Sequence, residues 1–530
     1  MINQKQCSLI VTLLLVTMGI GACQPAVTSA PATTAPAPQA TEALPTSAAP
    51  DTATPPTAAP IGKRFEGLTV TIIGPAGGNI EIFATLAKPW EEETGGKVEL
   101  NAVPYADLQD KILTAVSSGV WTGDIYNVPS GLNGDLMGGG YVLPVPDNVK
   151  AKMQLDDMPE IYRARQLDWG GVQYGYPWDG DVHMLNYRKD LFTDATHQAK
   201  FKEKFGYDLQ VPQTWAQYSN IAEYFTGWDW GIGDGKSRYG FAELPLRKGH
   251  GFHGFVSRAV AYAKHPDDPA FFFDPITMSP RINNPGFVRA LESWVNDLAY
   301  APPDFLNMGF VENAGAFSSG TVPFSINWAD IGTITYDPKN STVVGKVGFG
   351  QLPGSDEVWN SKTAKWDKPA GGNRPAYAAF GGWINVVPTN AKNQEAAIDL
   401  VAFLASPEIM KTASLASGSG VNPARLSTLD DIDAWVAKDG KPGFTTRKDA
   451  EGYTGAIKEI LSNSNMVFQL NIPAYAQYQD ALEIAVSKAL AKQATPQKAL
   501  DEAAAAWDSI SDSVGREKQL KLYRQSIGLP

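Results

Sequence analysis

Thiol chemistry is almost missing from this 530-residue sequence, whose two cysteines, Cys7 and Cys23, both precede residue 24. A disulfide scaffold, a Cys-ligated zinc or iron–sulfur site and a catalytic cysteine are thereby excluded from the rest of the chain. Positive charge is also scarce: 44 Lys+Arg stand against 56 Asp+Glu, a formal net charge of -12. So weak a positive field argues against nucleic acid as a partner. No apolar run beyond the first 23 residues is long enough to cross a bilayer. Enzyme signatures fail in turn. Gly235-Lys236-Ser237 resembles the end of a phosphate loop, but Trp230 occupies the position of the glycine required five residues earlier. Neither a Gly-x-Ser-x-Gly elbow nor a His-Glu-x-x-His helix occurs. His250 and His253 could share a metal, yet Gly249, Gly251 and Gly254 make that stretch read as a loop with no third ligand. Neither a metal nor a cofactor is expected.

What is present begins with an address. Lys5 and the apolar residues 9–20 read as a secretory signal over 1–22, too short to span a membrane. Gly21-Ala22 before Cys23 resembles the lipobox of bacterial lipoproteins, in which the cysteine is acylated; an ordinary cleaved signal with an incidental cysteine is the alternative. Residues 23–63 follow as a tether. From 24 to 62, 31 of 39 residues are Pro, Ala, Thr or Ser, and the only charges are Glu42 and Asp51. Such a composition cannot bury enough apolar surface to offset its ordering entropy. A spacer between a lipid anchor and a domain working above a membrane explains it best.

From residue 64 the pattern is that of folded α/β chain. Residues 68–73 read as a buried strand, then a Gly/Pro turn ending at Asn79, then a helix marked by Phe83, Leu86, Ala87 and Trp90. Strands are expected at 97–103 and 124–128, with a helix marked by Leu108, Ile112, Ala115 and Val116 between them. Alternation of this kind predicts a mostly parallel sheet covered by helices. Further strands are expected at 323–326, 347–352 and 384–387, and helical stripes run through Leu291, Leu400 and Leu500. A body this long, without a second linker, suggests two lobes in close contact.

Asp179-Gly180-Asp181 is the carboxylate pair that stands out, because it follows the aromatic run Tyr174-Gly175-Tyr176-Pro177-Trp178. Three readings are open: an acid and base for glycosidic cleavage, acceptors for sugar hydroxyls, or the cap of a turn.

The order of segments resembles the extracellular sugar-binding proteins of ABC importers, the family that includes the maltose-binding protein. The resemblance covers essentially all of 64–530. It rests on Tyr105-Ala106-Asp107, Gly140-Tyr141-Val142-Leu143-Pro144, Tyr174 to Asp181, Asn186-Tyr187-Arg188, Pro212-Gln213-Thr214-Trp215, Phe317-Ser318-Ser319-Gly320, Asn327-Trp328 and Phe380-Gly381-Gly382-Trp383. It implies an α/β fold of two lobes joined by crossing segments, with a ligand cleft between them. Lobe one would be 64–180 plus about 385–460, and lobe two about 185–380 plus about 465–530. Crossings are expected near 178–185, near 381–385 and somewhere within about 420–470.

The implied function is non-enzymatic capture of a sugar or oligosaccharide by hinge closure and its delivery to an ABC permease, by a receptor held to the membrane through lipidated Cys23. Such receptors are usually monomers, and their place is the outer face of the bacterial cytoplasmic membrane. A pyranose offers an apolar C–H face for an aromatic ring and a rim of hydroxyls that need donors and acceptors. Trp328 is the expected stacking ring, followed by Asp330, with core packing as the alternative. Trp178, Asp179 and Asp181 would meet the ligand at the first crossing, Gly382 and Trp383 at the second, and Asn79 after the first strand. Tyr475, Tyr478, Phe252, His253 and Arg374 complete the expected set. A lipid-anchored glycoside hydrolase, a sensory receptor, and the same fold binding a polyol or other solute are the alternatives. Apparent insertions at 228–238, 264–285 and 359–375 would either rim the cleft or decorate the surface.

Overall fold

A computed structural model describes residues 63–530; the expected signal, Cys23 and nearly all of the tether lie outside them. Burial that alternates over the first residues of Thr69–Pro75 and is continuous from Ile72 onward, and a buried run along Ile125–Pro129, place both strands inside the first sheet. Thr69–Pro75 pairs in parallel with Lys97–Val103 on one side and with Ile125–Pro129 on the other. The helix between them, Tyr105–Ser118, buries Leu108, Ile112, Ala115 and Val116 and ends at Gly119, whose φ of 70° closes the last turn. The stretch expected as one helix after the first strand is instead three short ones, Gly78–Glu81, Phe83–Leu86 and Lys88–Thr94.

Within the first sheet parallel pairing stops there, which corrects the expectation of a mostly parallel sheet; elsewhere only the short pair Ala376–Ala378 with Met466–Phe468 is parallel among the described strands. The remaining strands of the first sheet, Trp383–Val386 and Tyr176–Pro177, are antiparallel to their neighbours. The second sheet, in the order Phe324–Trp328, His183–Arg188, Val347–Gly350, is antiparallel throughout. The cause is the route of the chain. It leaves the first sheet after Pro177, builds the second, and re-enters the first at Trp383 from the opposite direction, so the returning strand runs against Ile125–Pro129.

Residues 178–182, 380–382 and 420–425 pass between the two sheets side by side. The Asp179 amide donates to the Trp383 carbonyl at 3.0 Å, and the Gly180 amide to the Asn422 carbonyl at 3.3 Å. The expected span of 385–460 for lobe one divides between the two sheets. Gln394–Leu404 stays with the first, where the Trp90 indole donates to Asp399 at 3.0 Å. Arg447–Leu461 instead packs on Val347–Gly350 of the second, burying Tyr453 beside Phe349 and Phe444. Its apolar stripe of Ala450, Tyr453, Ala456, Ile457 and Ile460 fits the open face of that sheet.

The stretch read as a loop around His250 is the start of a helix, Gly251–Ala263. Its glycines serve close packing: a Cβ at Gly254 would lie 2.4 Å from the Leu244 carbonyl oxygen. Tyr475–Leu490 packs on that helix, and Pro496–Val514 packs on Tyr475–Leu490. The 264–285 segment contributes Phe271, Phe272 and Phe273, buried against Phe287, Trp507 and Tyr523. The 359–375 segment forms a hairpin of Val358–Asn360 with Lys365–Asp367.

Candidate functional site

Where the crossings meet the ends of both sheets, the chain encloses a cavity of about 350 Å³. It is lined from the first sheet's side by the turn 75–79 and Tyr105, from the crossings by Asp179, Asp181, Phe380, Trp383, Gly420 and Asn422, and from the second by His250, Phe310, Trp328 and Asp330. The volume lies near the lower end of the roughly 300–1,000 Å³ usual for small-molecule sites.

The polar floor is organised by two amides. Asn422 donates its backbone N–H to Asp179 Oδ1 at 2.6 Å and its side-chain Nδ2 to Asp181 Oδ1 at 2.5 Å. Asn79 accepts from the Trp178 indole at 3.1 Å and donates to Asp179 Oδ2 at 3.3 Å and to the Gly420 carbonyl at 3.1 Å. Each amide therefore ties the first crossing to a neighbouring segment. Asp181 Oδ2, Asp330 Oδ1, Asn422 Oδ1 and Trp328 Nε1 are buried without a protein partner. Such atoms are costly unless something satisfies them.

Burial raises all three carboxyls. Asp330 is pushed up to about 7. Asp179 and Asp181 lie well above the usual carboxylate range, first because they are desolvated; the charge of Asp330 raises both further, and that of Asp179 raises Asp181. Burial also holds His250 down to about 4, so that ring is neutral near pH 7.

The walls are aromatic. Trp328 ends its strand and stacks on Phe380 with centroids 4.8 Å apart and planes 11° apart. His183 meets the Trp328 ring edge-on at 4.3 Å, and Tyr105 stacks on His250 at 4.4 Å. Two of these lining residues hold left-handed backbone without being glycine, Phe380 at φ 60° and His250 at φ 87°. Conformations of this kind cost about 1–3 kcal/mol each and persist where surrounding structure imposes them. Gly382 follows Phe380 with φ 81°, and a Cβ there would sit 2.2 Å from the Asp179 carbonyl oxygen.

Of the residues expected from sequence, Trp328, Asp179, Asp181, Trp383, Asn79 and Asp330 line this cavity. Trp178 and Gly382 stand just behind it: Trp178 packs on Phe83 and orients Asn79, and Gly382 lets two crossings touch. His253 backs the wall, 4.2 Å from Phe380 by centroid, with Nδ1 on the Tyr377 hydroxyl at 2.9 Å.

The other four lie elsewhere. Phe252 packs between Phe272 and Tyr475. The Tyr475 ring covers Gly131, and the Tyr478 hydroxyl pairs with Ser511 at 3.0 Å under the Pro496–Val514 helix. These rings are drawn away by the C-terminal helices. Arg374 is spent on the Leu352 and Gln351 carbonyls and on Gln213. None of the three apparent insertions lines the cavity.

Tyr105, His250, Phe310, Phe380 and Asn422 were not among the expected residues. Phe380 had a visible signal, its place beside Gly381-Gly382-Trp383. Asn422 sits in Ser419-Gly420-Val421-Asn422-Pro423, which carries no local sign of its contacts with residues 240 positions earlier.

Comparison with known proteins agrees with this architecture. A curated relative, a probable amino-acid ABC transporter periplasmic-binding protein y4oP of Sinorhizobium fredii, is 22% identical over 448 residues, 83% of this chain and 88% of the relative. Among solved structures, an ABC transporter solute-binding protein of Agrobacterium radiobacter K84 in complex with ribitol superimposes with a TM-score of 0.68 at 22% identity, over 84% of this chain and 100% of that one. Maltose-bound MalE3 of T. maritima gives 0.65 at 19% identity over 84% and 100%. A solute-binding protein of Agrobacterium vitis S4 with bound D-mannitol gives 0.65 at 21% identity over 85% and 99%. Residues 85–445 match the model of the bacterial extracellular solute-binding protein family. The chain belongs to that family, with its two-lobed α/β fold, and is a binding protein rather than an enzyme.

Proposed function

We propose that the protein is the sugar- or polyol-capturing receptor of an ABC importer, held at the outer face of the cytoplasmic membrane through acylated Cys23 and the tether 23–63. The observation that carries the reading is the cavity itself: stacked indole and phenyl rings on one side, and on the other three carboxyl groups and an asparagine, with unpartnered oxygens on Asp181, Asp330 and Asn422. Rings take the C–H face of a sugar, and the polar floor takes its hydroxyls. The relatives holding ribitol, maltose and D-mannitol support the same ligand class.

The mechanism is closure without chemistry. The cavity draws its lining from both sheets and from three crossings, so only a closed form presents all the contacts at once, and the ligand selects that form. The closed receptor then docks on a permease supplied by other chains, and the tether raises its local concentration there. The test is a thermal-shift panel of mono- and oligosaccharides, polyols, their amino derivatives and sugar phosphates, with each ligand recovered and assayed for chemical change. A ligand at about 100 times its dissociation constant stabilises the fold by about 2.7 kcal/mol. Stabilisation by a sugar or polyol recovered intact is expected; silence across the neutral and amino members, or cleavage of the ligand, refutes the reading.

A further inference from the structure

Three buried carboxylates converge on this cavity, and no lysine or arginine is among the residues that line it. Arg374, the cation the sequence offered, is committed elsewhere. Among the described residues, no lysine or arginine therefore stands at the cavity wall beside these carboxyls.

Hydrogen-bonding capacity leans to acceptors. Among the described residues that line the cavity, the unpartnered buried oxygens Asp181 Oδ2, Asp330 Oδ1 and Asn422 Oδ1 stand against the unpartnered donors Trp328 Nε1 and the Tyr105 hydroxyl, with His250 Nδ1 able to take either role. A hydroxyl brings one donor and two acceptor sites, whereas an alkylammonium brings three donors and no acceptor. The second of these complements the acceptor pole. It also supplies the positive charge without which burial favours the protonated form of these carboxyls. The rings of Trp328 and Phe380 at the same cavity add a surface that attracts cations.

Nor is the surface beside the cavity basic. A neighbouring cleft of about 200 Å³ shares Tyr105 with it and is lined by Asp110, Asp480 and Glu483, with Lys248 as the single cation among its lining residues. Lys248 lies 3.6 Å from Asp110 and Arg247 lies 2.7 Å from Asp480, which offsets two charges of the three and leaves the cleft weakly acidic.

We infer that the captured solute carries a basic nitrogen, as an amino sugar or amino polyol whose ammonium group is held by Asp181, Asp330 and Asn422 while its carbon skeleton lies against Trp328 and Phe380. This rests on the sugar and polyol reading above and narrows it. The titratable groups around the pole are Asp179 on the first crossing, Tyr162 behind it, Tyr105, Tyr377, His183, His250 and His253 about the opposite wall, and Tyr453 under Asp330. Burial opposes the charged form of every one of these, so none replaces the ligand as counter-ion.

The test is isothermal titration calorimetry of the purified protein at pH 7 with matched pairs: glucosamine, galactosamine and mannosamine against glucose, galactose and mannose, and 1-amino-1-deoxysorbitol against sorbitol, with the N-acetyl sugars as uncharged controls. In at least one pair the amine binds about tenfold more tightly or better, equivalent to about 1.4 kcal/mol. N-acetylation removes that gain, and D181N brings the pair to within about threefold; D330N serves where D181N fails to fold. Neutral members binding as tightly as their amines overturn this inference and leave the sugar reading standing. An advantage that survives both D181N and D330N also overturns it. If no member of any pair binds, the sugar reading falls and this inference with it.

Discussion

Replacing Trp328 separates its part in stability from its part in binding. The indole is buried and stacked on Phe380, and its Nε1 has no protein partner. Deleting a buried tryptophan side chain costs about 3–5 kcal/mol. Removing an unsatisfied buried donor returns about 1–3 kcal/mol of that. Trp328→Ala should therefore lower the ligand-free stability by about 2 kcal/mol, within about 0–4 kcal/mol. A folded body of this size unfolds with an entropy on the order of 1 kcal/mol/K, so the midpoint falls by about 2 °C and at most about 4 °C. Losing a stacking surface for the ligand is worth roughly 2–3 kcal/mol, about a 30- to 150-fold weakening. Trp328→Phe keeps a ring on Phe380 and deletes the N–H. It should leave the ligand-free protein about as stable as the parent while weakening binding about 2- to 10-fold, the net worth of one hydrogen bond. Scanning calorimetry of the ligand-free protein and titration with the best binder of the panel read the two effects separately. Unchanged affinity in Trp328→Ala, or equal destabilisation by Phe and Ala, would refute the reasoning.

Asn422→Ala removes the side-chain partner of Asp181 and leaves the backbone donor to Asp179 in place; the expected cost is about 1–3 kcal/mol of stability and about a tenfold loss of affinity, and full retention of both would show that the asparagine holds nothing. Burial lifts Asp330 to about 7, so between about pH 4 and 7 the folded chain keeps a proton that the unfolded chain has released. The ligand-free protein therefore loses up to about 1.4 kcal/mol per pH unit from this group as pH rises through that window. Denaturation midpoints from pH 4 to 8 should decline less steeply in Asp330→Asn, and an unchanged slope would count against a buried, proton-holding Asp330. Cys23→Ser should release the protein from the membrane fraction of its host into the extracytoplasmic fluid, whereas retention in the membrane would remove the lipid anchor from the proposal.

Much of the fold was written locally. Helix Tyr105–Ser118, strand Lys97–Val103 and strand Trp383–Val386 follow from the spacing of apolar residues and from Gly119 as a stop, because burial of one face and termination of a helix depend on residues a few positions apart. The direction of Trp383–Val386 did not, since it depends on where the chain has been for the preceding 200 residues. His250 shows the same limit: glycines that read as a loop turned out to permit a helix to pack within a few ångströms of Leu244.

The sequence by itself determined the class of the site, an aromatic and acidic pocket poor in cations, because composition and the run from Tyr174 to Asp181 carry that chemistry wherever they fold. Only the tertiary structure decided which residues share the pocket. Tyr475 and Tyr478 have the same ring chemistry as Tyr105, yet packing of the C-terminal helices buries them elsewhere, while Asn422 reaches Asp179 and Asp181 across more than two hundred residues. Residue type fixes what a side chain can bind; non-local packing fixes where it stands.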